Sequence, residues 1–372
     1  MRVTLTPEMI RNACDNLCFE GEFVSAEPYG NGHINDTYCV VYRKADGNTH
    51  RYILQRINNQ IFKNPVKLME NIQGVTAFLK EKIVARGGDY TRETLNIIPA
   101  KDGKSYFCDE HDSWFRGYIF IEGATTFQTV EDPKDFYNSA RAFGKFQNLL
   151  AEYPAETLDE TIVNFHNTVS RFADFKAALA ENKTGRADFC KDEIQFVLDR
   201  EADTHVLVDM LAKGEIPLKV THNDTKLNNV MIDDATGEGI CVIDLDTVMP
   251  GSALYDFGDS IRFGASTAAE DEKDLDKVNM DINLYEIYLK GFMETAGDAM
   301  TENEIRMLPM GAKLMTLECG MRFLADHIAG DTYFKIHREG HNLDRARTQF
   351  KLVWDMERQW DEMCRLAEAY IK

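Results

Sequence analysis

The chain has 372 residues, which exceeds the usual size of one domain and predicts two lobes or domains. Its composition is that of a globular protein, with 44% hydrophobic and 28% charged residues. The formal net charge of −20 at pH 7 disfavours nucleic acid and anionic membrane as partners, because the electrostatic term would be repulsive.

The N-terminal sequence lacks the apolar core of a signal peptide, and no apolar run is long enough to span a bilayer. The eight cysteines are scattered and form no CxxC pair, as is typical of reduced thiols. We therefore expect a cytoplasmic protein. His337 and His341 stand four apart in HREGH, but Gly340 weakens a helix there and the glutamate is misplaced for the HExxH motif, so zinc is not expected.

The first third of the chain predicts an antiparallel sheet with one long helix. Thr6 and Pro7 occupy the capping and first positions of a short helix within 6–20. A second, longer stripe of apolar residues at helical spacing covers 65–85. Strand-like segments are EFVSAEPY, NDTYCVVYR, HRYILQRIN, LNIIPA, SYFCD and SWFRGYIFIEG.

From about residue 124 onward the pattern is almost wholly helical, interrupted by one polar segment that begins near residue 221. The last helix is the clearest, with apolar side chains at helical spacing from Leu343 to Ala367. These patterns predict an α+β fold with a five-strand small lobe and a helical large lobe. The predicted boundaries are 1–118 for the small lobe, 119–124 for a hinge and 125–372 for the large lobe.

The polar segment, THNDTKLNNVMIDDATGEGICVIDLDTVMPGSALYDFGDSIRFG over 221–264, suits phosphoryl transfer. Asp224 follows the apolar run IPLKV, on a loop where it would accept the proton of an attacking hydroxyl. Asn229 and Asp244 supply the oxygen ligands that Mg²⁺ prefers, and would hold the ion against nucleotide phosphates. A lone H-x-D pair would also suit an Asx-rich turn, but its combination with an apolar strand ending in Asp favours a phosphotransferase.

Two further polar residues have supporting roles in this prediction. His222 is expected to brace the loop by hydrogen bonds rather than to transfer protons. Asp246 has the side-chain direction of Asp244 and is either a second metal ligand or a group behind the first.

These motifs resemble those of the aminoglycoside-phosphotransferase-like kinases, which share the protein-kinase fold. Within that family, HNDTKLNNV, VIDLDTVMPG and YDFGDSIRFGA are similar to the N-acetylhexosamine 1-kinases. The resemblance implies a bilobal protein-kinase-like fold, with ATP and Mg²⁺ as cofactors. It also implies direct in-line transfer to the anomeric hydroxyl of N-acetylglucosamine or N-acetylgalactosamine, with ATP and a small sugar as the partners.

On the nucleotide side, the resemblance assigns phosphate contacts to the glycine loop GNGHINDTY. Gly30 and Gly32 would allow close backbone approach, while Asn35 and Thr37 would add polar contacts. GNG is equally an ordinary hairpin turn.

The third strand departs from the protein-kinase pattern, because it has Gln55 and Arg56 where those kinases have a Lys. Arg56 is the candidate cation, either paired with Glu70 on the next helix or as a surface residue. In GYIFIEG, backbone groups from Phe120 to Glu122 would pair with adenine.

On the acceptor side, the resemblance implies that His33 of the glycine loop, Arg322 and Tyr333 contact the sugar, together with Asp224 and Asp244. Arg322 would offer a forked donor to hydroxyls or to the acetamide oxygen. The alternatives are an exposed turn histidine, a core tyrosine and a helical ion pair between Arg322 and the aspartate four residues later.

The same resemblance implies that Asp256 and Asp259 brace the catalytic loop by accepting backbone N–H bonds, with Arg262 as their counter-ion. Two other functions fit the sequence. The acidic balance would attract a cationic acceptor such as an aminoglycoside or choline. The missing third-strand Lys would suit a nucleotide-binding pseudokinase, which the intact Asp224, Asn229 and Asp244 oppose. The oligomeric state is unspecified.

Overall fold

The computed structural model describes residues 4–30, 32, 34–130 and 132–371. An antiparallel sheet occupies the N-terminal part of the chain, and helices dominate the remainder. The predicted α+β fold, with a sheet-containing small lobe and a helical large lobe, is confirmed. None of the helices in these residues is both long and apolar enough to cross a membrane.

Both classes of element are numbered in chain order. The helices are α1 (Pro7–Asn16), α2 (Pro65–Ala85), α3 (Tyr90–Glu93), α4 (Pro133–Leu149), α5 (Thr168–Glu181), α6 (Lys191–Leu198), α7 (Glu201–Lys213), α8 (Ala253–Gly264), α9 (Ile282–Ala296), α10 (Glu302–Ala329), α11 (His341–Arg358) and α12 (Trp360–Glu368). The strands are β1 (Glu22–Pro28), β2 (Asp36–Arg43), β3 (Thr49–Ile57), β4 (Ile97–Ile98), β5 (Phe107–Cys108), β6 (Trp114–Ile119), β7 (Ala124–Thr125), β8 (Lys219–Thr221), β9 (Val230–Asp233), β10 (Gly239–Val242) and β11 (Met249–Gly251).

The N-terminal sheet has the order β1-β2-β3-β6-β4, and β5 also pairs with β6. It therefore contains six strands rather than the five predicted, because two very short strands, β4 and β5, both pair with β6. In the antiparallel register of β3 and β6, Gln55 lies opposite Arg116. Side chains of directly opposed residues are close enough to bond.

Capping chemistry explains where the first two helices begin. The Thr6 side chain accepts a hydrogen bond from the backbone N–H of Met9 at the start of α1. Asn64 accepts one from Lys67 at the start of α2. Helix α2 is anchored to the polar segment, because Asn71 donates to the backbone oxygen of Val248 at 3.1 Å.

The last predicted helix is divided into α11 and α12, so the prediction of one continuous helix from Leu343 to Ala367 is wrong. The chain leaves helical geometry at Gln359, whose φ and ψ are −102° and 12°. The Gln359 side chain donates to the backbone oxygen of Met280 at 3.0 Å. The apolar pattern continues across the break because Met356 and Met363, on either side, are both buried in the same core.

Helices α8 and α10 pack closely through glycines. A Cβ added to Gly258 of α8 would lie 2.2 Å from the backbone oxygen of Gly311 in α10, and one added to Gly311 would lie 2.5 Å from the backbone oxygen of Leu254. Both positions therefore require the absence of a side chain. This contact positions α8 beneath the polar segment.

Gly258→Ala should lower the free energy of unfolding by roughly 1–3 kcal/mol, because the helix backbones must separate to admit a methyl group. Urea denaturation measures the change. Gly297→Ala is the matched control, since Gly297 has right-handed helical angles and the added Cβ would lie 3.5 Å from the flexible end of Met293. Equal stabilities of the two variants would contradict the packing account.

Candidate active site

The loop between β8 and β9 brings Asp224 and Asn229 together. Asn229 closes a short 3₁₀ turn, and its Nδ2 donates to the backbone oxygen of Asp224 at 2.7 Å and to Asp224 Oδ2 at 3.2 Å. The other carboxylate oxygen, Oδ1, is 2.8 Å from Lys226 Nζ. The charge of Asp224 raises the pKa of Lys226, so the two form an ion pair.

His222 connects this loop to the strand that leads to Asp244. Its Nδ1 accepts from the backbone N–H of Asp224 at 3.3 Å, and its Nε2 donates to the backbone oxygen of Ile243 at 2.8 Å. The Ile243 N–H in turn donates to the backbone oxygen of Asn229 at 2.9 Å. The predicted bracing role of His222 is confirmed. Ile243, which directly precedes Asp244, is bonded to both His222 and Asn229.

Asp244 has a left-handed backbone conformation, with φ of +59°, immediately before a 3₁₀ turn over Leu245–Thr247. Burial among protein atoms, followed by the charges of Asp246 and Asp224, raises its pKa above the ordinary aspartate value. Asp244 is nevertheless exposed to solvent, which moderates this shift. The neighbouring acids add negative charge that a divalent cation would offset.

The donor chemistry here fits Mg²⁺. Because Asn229 directs its amide nitrogen to Asp224, its amide oxygen points away from that contact and is suited to a metal. Within the described chain, no three His, Cys, Asp or Glu side chains are grouped to hold a metal on their own. Mg²⁺ typically has one or two carboxylate ligands and completes its shell with water and substrate phosphates. Asn229 and Asp244 are a donor set of that kind.

A buried carboxylate on α8 fixes the backbone of the catalytic loop. Asp256 Oδ2 accepts from the N–H of His222 at 2.9 Å, and Oδ1 accepts from the N–H of Asn223 at 2.8 Å. Gln147 adds a third hydrogen bond, from Nε2 at 2.6 Å. The predicted brace is confirmed.

A second acid on the same helix extends the brace. Asp259 Oδ2 accepts from the N–H of Thr225 at 3.0 Å, and Arg262 Nε donates to Oδ1 at 2.9 Å. Arg262 also bonds Glu270 at 3.0 Å. Although burial opposes ionisation, Arg262 and Lys226 hold the pKa of Asp259 below its usual value. The prediction that Arg262 is the counter-ion is confirmed for Asp259.

The glycine loop joins β1 to β2. Gly30 has φ of +75°, a conformation that favours glycine, and a Cβ at Gly30 or Gly32 would meet nothing within 4 Å. Thr37 Oγ1 accepts from Gln55 Nε2 at 3.0 Å. Asn35 reaches the polar segment, because its Nδ2 donates to Asp246 Oδ2 at 2.6 Å. His33, the predicted sugar contact of this loop, lies outside the described residues.

Arg56 does not pair with Glu70, and that expectation is wrong. The strand register places Arg56 opposite Asp36, and its Nη2 lies 2.6 Å from Asp36 Oδ2. Glu70 instead pairs with Lys67 at 2.9 Å. The alternative of a surface arginine is also wrong, because Arg56 is buried.

A buried cation that the sequence analysis missed lies on β6. Arg116 is 1% exposed, its Nη1 is 2.5 Å from Asp246 Oδ1, and its Nε donates to Gln55 Oε1 at 3.0 Å. Asp246 Oδ1 thus has an ion-pair partner, and Asn35 donates to Oδ2. This arrangement favours the second of the two alternatives, in which Asp246 is a group behind Asp244. A lone Arg within an apolar strand was the available signal, since buried arginines are rarely unpaired.

The predicted hinge runs from the end of β6. Phe120 is buried, with the Arg51 guanidinium 3.9 Å from its ring centroid. Arg51 Nε also donates to Glu122 Oε1 at 2.9 Å. The backbone N–H of Phe120 donates to Arg51 O at 3.4 Å, and the backbone oxygen of Glu122 accepts from Arg92 at 3.0 Å.

Arg322 of α10 lies among aromatic rings on the acceptor side. Its guanidinium carbon is 5.3 to 5.8 Å from the ring centroids of Phe165, Phe334 and Tyr333. Tyr333 is 66% exposed, so the alternative of a core tyrosine is wrong. Arg322 Nη1 lies 3.7 Å from Glu318 Oε1, one turn earlier on the helix.

The alternative pair between Arg322 and Asp326 is also wrong. Asp326 accepts from the backbone N–H groups of Thr332, Tyr333 and Phe334 at 2.8 to 2.9 Å. Its carboxylate therefore holds the loop that presents Tyr333 rather than the arginine side chain.

His166 connects this acceptor side to the catalytic loop. Its Nδ1 is 3.1 Å from Glu318 Oε1, and its Nε2 is 3.2 Å from the backbone oxygen of Asn223. Burial opposes the charged imidazole, but Glu318 raises the pKa of His166 above its ordinary value. Glu318 thus interacts with both His166 and Arg322.

Known proteins resemble this chain in sequence profile and in fold. The sequence profile of the phosphotransferase enzyme family matches residues 25–281. Among solved structures, an aminoglycoside phosphotransferase from Alicyclobacillus acidocaldarius is similar with a TM-score of 0.63 and 11% identity, over 99% of this chain and 98% of that one. Choline kinase from Cryptosporidium parvum is similar with a TM-score of 0.59 and 14% identity, over 98% of this chain and 99% of that one. A microcompartment-associated aminopropanol kinase is similar with a TM-score of 0.58 and 16% identity, over 96% of this chain and 98% of that one. At these identities the structural likeness concerns the fold.

Asp256→Asn should lower the free energy of unfolding by roughly 2–4 kcal/mol, because a neutral amide has one acceptor oxygen where the charged carboxylate has two. Hydrogen exchange of the His222 and Asn223 amides should accelerate, and urea denaturation gives the stability. Asp361→Asn, on the exposed first turn of α12, is the control and should change neither. Unchanged exchange at residues 222 and 223 would refute the brace.

Proposed function

The chain belongs to the phosphotransferase enzyme family, and on that premise we propose that it is an ATP-dependent N-acetylhexosamine 1-kinase. The reaction would transfer the γ-phosphoryl group of ATP to the anomeric hydroxyl of N-acetylglucosamine or N-acetylgalactosamine. The observation that carries the proposal is the placement of Asp224, Asn229 and Asp244 at one edge of two short sheets, linked by hydrogen bonds through Ile243. We further propose the lobe boundaries 1–118, 119–124 and 125–372, with the nucleotide between the lobes.

Asp224 is the proposed base. Its side chain is fixed on one oxygen by Asn229 and on the other by Lys226, so its orientation towards the acceptor hydroxyl is set before substrate binds. It would take the proton of that hydroxyl as the oxygen attacks phosphorus in line with the leaving ADP. Fixing reactant geometry in this way lowers the entropic part of the barrier.

Asn229 and Asp244 are the proposed ligands of Mg²⁺, which would neutralise charge on the β- and γ-phosphates when bound. Nucleotide contacts are proposed for two parts of the small lobe. The glycine loop and neighbouring strands would cover the phosphates through Gly30, Gly32, Asn35, Thr37 and Arg56. The segment from Phe120 to Glu122 would pack against adenine. Because the Phe120 N–H and the Glu122 C=O bond other residues, the base would pair with the Phe120 C=O, the Glu122 N–H or the backbone of Ile121.

The charges on the acceptor side support a neutral, polyhydroxylated substrate. Glu318, which lies beside this region, faces both His166 and Arg322. This carboxylate is therefore compensated and exerts little net attraction on an amine. Arg322 and the exposed Tyr333 offer a forked donor and a ring face, which suit sugar hydroxyls and an acetamide group. We retain His33, Asp224 and Asp244 as further sugar contacts.

A cationic acceptor such as choline or an aminoglycoside is the second candidate. The net charge of −20 favours it, because an acidic protein attracts amines at long range. The similar structures named as aminopropanol kinase, choline kinase and aminoglycoside phosphotransferase are consistent with such an acceptor.

A substrate panel separates the two candidates. ADP release should require an N-acetylhexosamine, and phosphorus NMR of the product should show a sugar 1-phosphate. Glucose, choline and an aminoglycoside serve as comparison acceptors in the same assay. Turnover with an amine and none with neutral sugars would instead establish the second candidate.

Asp224→Asn should lower kcat by about 10²–10⁴-fold, because the amide cannot accept the proton of the acceptor. Affinity for MgADP, measured by calorimetry, should stay within a few-fold, since the predicted metal ligands are retained. Unchanged turnover in this variant would exclude Asp224 as the base. Nucleotide binding by both proteins without turnover on any acceptor would point to a pseudokinase.

A further inference from the structure

We propose that Arg116, a buried cation on β6, acts as a positioning residue for the nucleotide site through Asp246. The inference rests on the proposed function, since it treats Asp244 as the metal ligand. Arg116 is 1% exposed, so it acts on other protein groups rather than on substrate. Its target is the carboxylate two residues beyond Asp244.

The register of the sheet explains how Arg116 is oriented. Gln55 of β3 lies directly opposite Arg116 of β6, and Gln55 Oε1 accepts from Arg116 Nε at 3.0 Å. The same glutamine donates through Nε2 to Thr37 Oγ1 on β2 at 3.0 Å. The uncharged Gln55 side chain therefore orients the charged Arg116 side chain, and its amide group is also bonded to Thr37 of β2.

The end of Arg116 meets the polar segment. Its Nη1 lies 2.5 Å from Asp246 Oδ1, and Asp246 is itself buried. A buried carboxylate is strongly disfavoured without a paired charge, so removal of either partner leaves an uncompensated ion. The Asp246 backbone oxygen accepts from Thr161 Oγ1 at 3.2 Å. Both the side chain and the backbone of Asp246 are thus fixed, which limits the movement of Asp244 two residues away.

The glycine loop is attached to the same carboxylate. Asn35 Nδ2 donates to Asp246 Oδ2 at 2.6 Å, and Asn35 Oδ1 accepts from the Asn58 N–H at 2.9 Å. Asp246 therefore joins the loop proposed to cover the phosphates to the turn that carries the metal ligand. The consequence is that Arg116, by holding Asp246, fixes the distance between phosphates and metal.

Arg116→Met removes the charge while keeping an unbranched apolar stem. We expect the dissociation constant for MgADP, measured by calorimetry, to rise at least about tenfold, the lower end of the loss seen when groups behind metal ligands are removed. Affinity for ADP in excess EDTA should change much less. The KM for the acceptor should stay within twofold.

The matched control is Arg200→Met in the helical region. Arg200 is also a largely buried arginine bound to a carboxylate, with Nε and Nη2 donating to Glu357 at 2.9 and 2.7 Å. Its loss should lower stability without changing the dissociation constant for MgADP. If both variants lose stability and neither loses Mg²⁺-dependent affinity, Arg116 is structural and the inference is overturned.

Two milder variants test the inference should Arg116→Met fail to fold. Arg116→Lys keeps the charge but loses the bond to Gln55, and should weaken MgADP binding by less than the Met variant does. Asn35→Ala should weaken it without loss of stability, because Asn35 is only partly buried. If both act through Asp246, the double variant loses less than the product of the single effects. Strictly multiplicative effects would contradict a shared carboxylate.

The sugar panel distinguishes failure of this inference from failure of the proposed function. A protein that binds MgADP through Arg116 but phosphorylates a different acceptor upholds this inference and contradicts the sugar assignment. A wild-type protein that does not bind MgADP contradicts both.

Discussion

The backbone of the loop that carries Asp224 is fixed by buried carboxylates on one helix. Asp256 accepts from the N–H groups of His222 and Asn223, and Asp259 accepts from that of Thr225. These N–H groups lie beyond the end of β8, where the strand no longer supplies partners, so the loop would otherwise leave buried donors unsatisfied. The glycine contact between α8 and α10 keeps the helix at the required depth. Packing on the face of α8 directed at α10 thereby helps to determine where the proposed base lies.

The distribution of charge around the loop separates supporting carboxylates from reacting ones. Asp259 and Asp246 are each compensated by a buried arginine, Arg262 and Arg116 respectively. Burial, followed by the charges of Asp246 and Asp224, raises the pKa of Asp244, and burial also raises the pKa of the bracing Asp256. Asp244 differs from Asp256 because it is exposed to solvent and lies beside other acids. It is therefore the carboxylate of this group that is suited to bind a cation.

Features encoded locally were predicted well from the sequence. The cap at Thr6 depends on a short motif with limited conformational choice, and the brace of the loop by its own downstream helix was implied by the family resemblance. Features that depend on contacts between residues far apart in the chain were not predicted from the sequence. Arg116 and Asp246 are 130 positions apart, and nothing in either strand pattern reveals that they meet. Arg56 was assigned a helix partner because strand register, which places Asp36 opposite, is not visible in a single sequence. The break at Gln359 was missed because the apolar pattern passes through it unchanged.

The account depends most on Asn229 and Asp244 sharing one divalent cation beside the nucleotide. A crystal structure of the protein with MgADP tests this directly. We expect one Mg²⁺ at about 2.0–2.1 Å from Asn229 Oδ1 and from an Asp244 carboxylate oxygen, with phosphate oxygens and water completing six ligands. Asp246 should remain bonded to Arg116 and make no contact with the ion. A nucleotide-bound Mg²⁺ that is coordinated by neither Asn229 nor Asp244 would contradict the account.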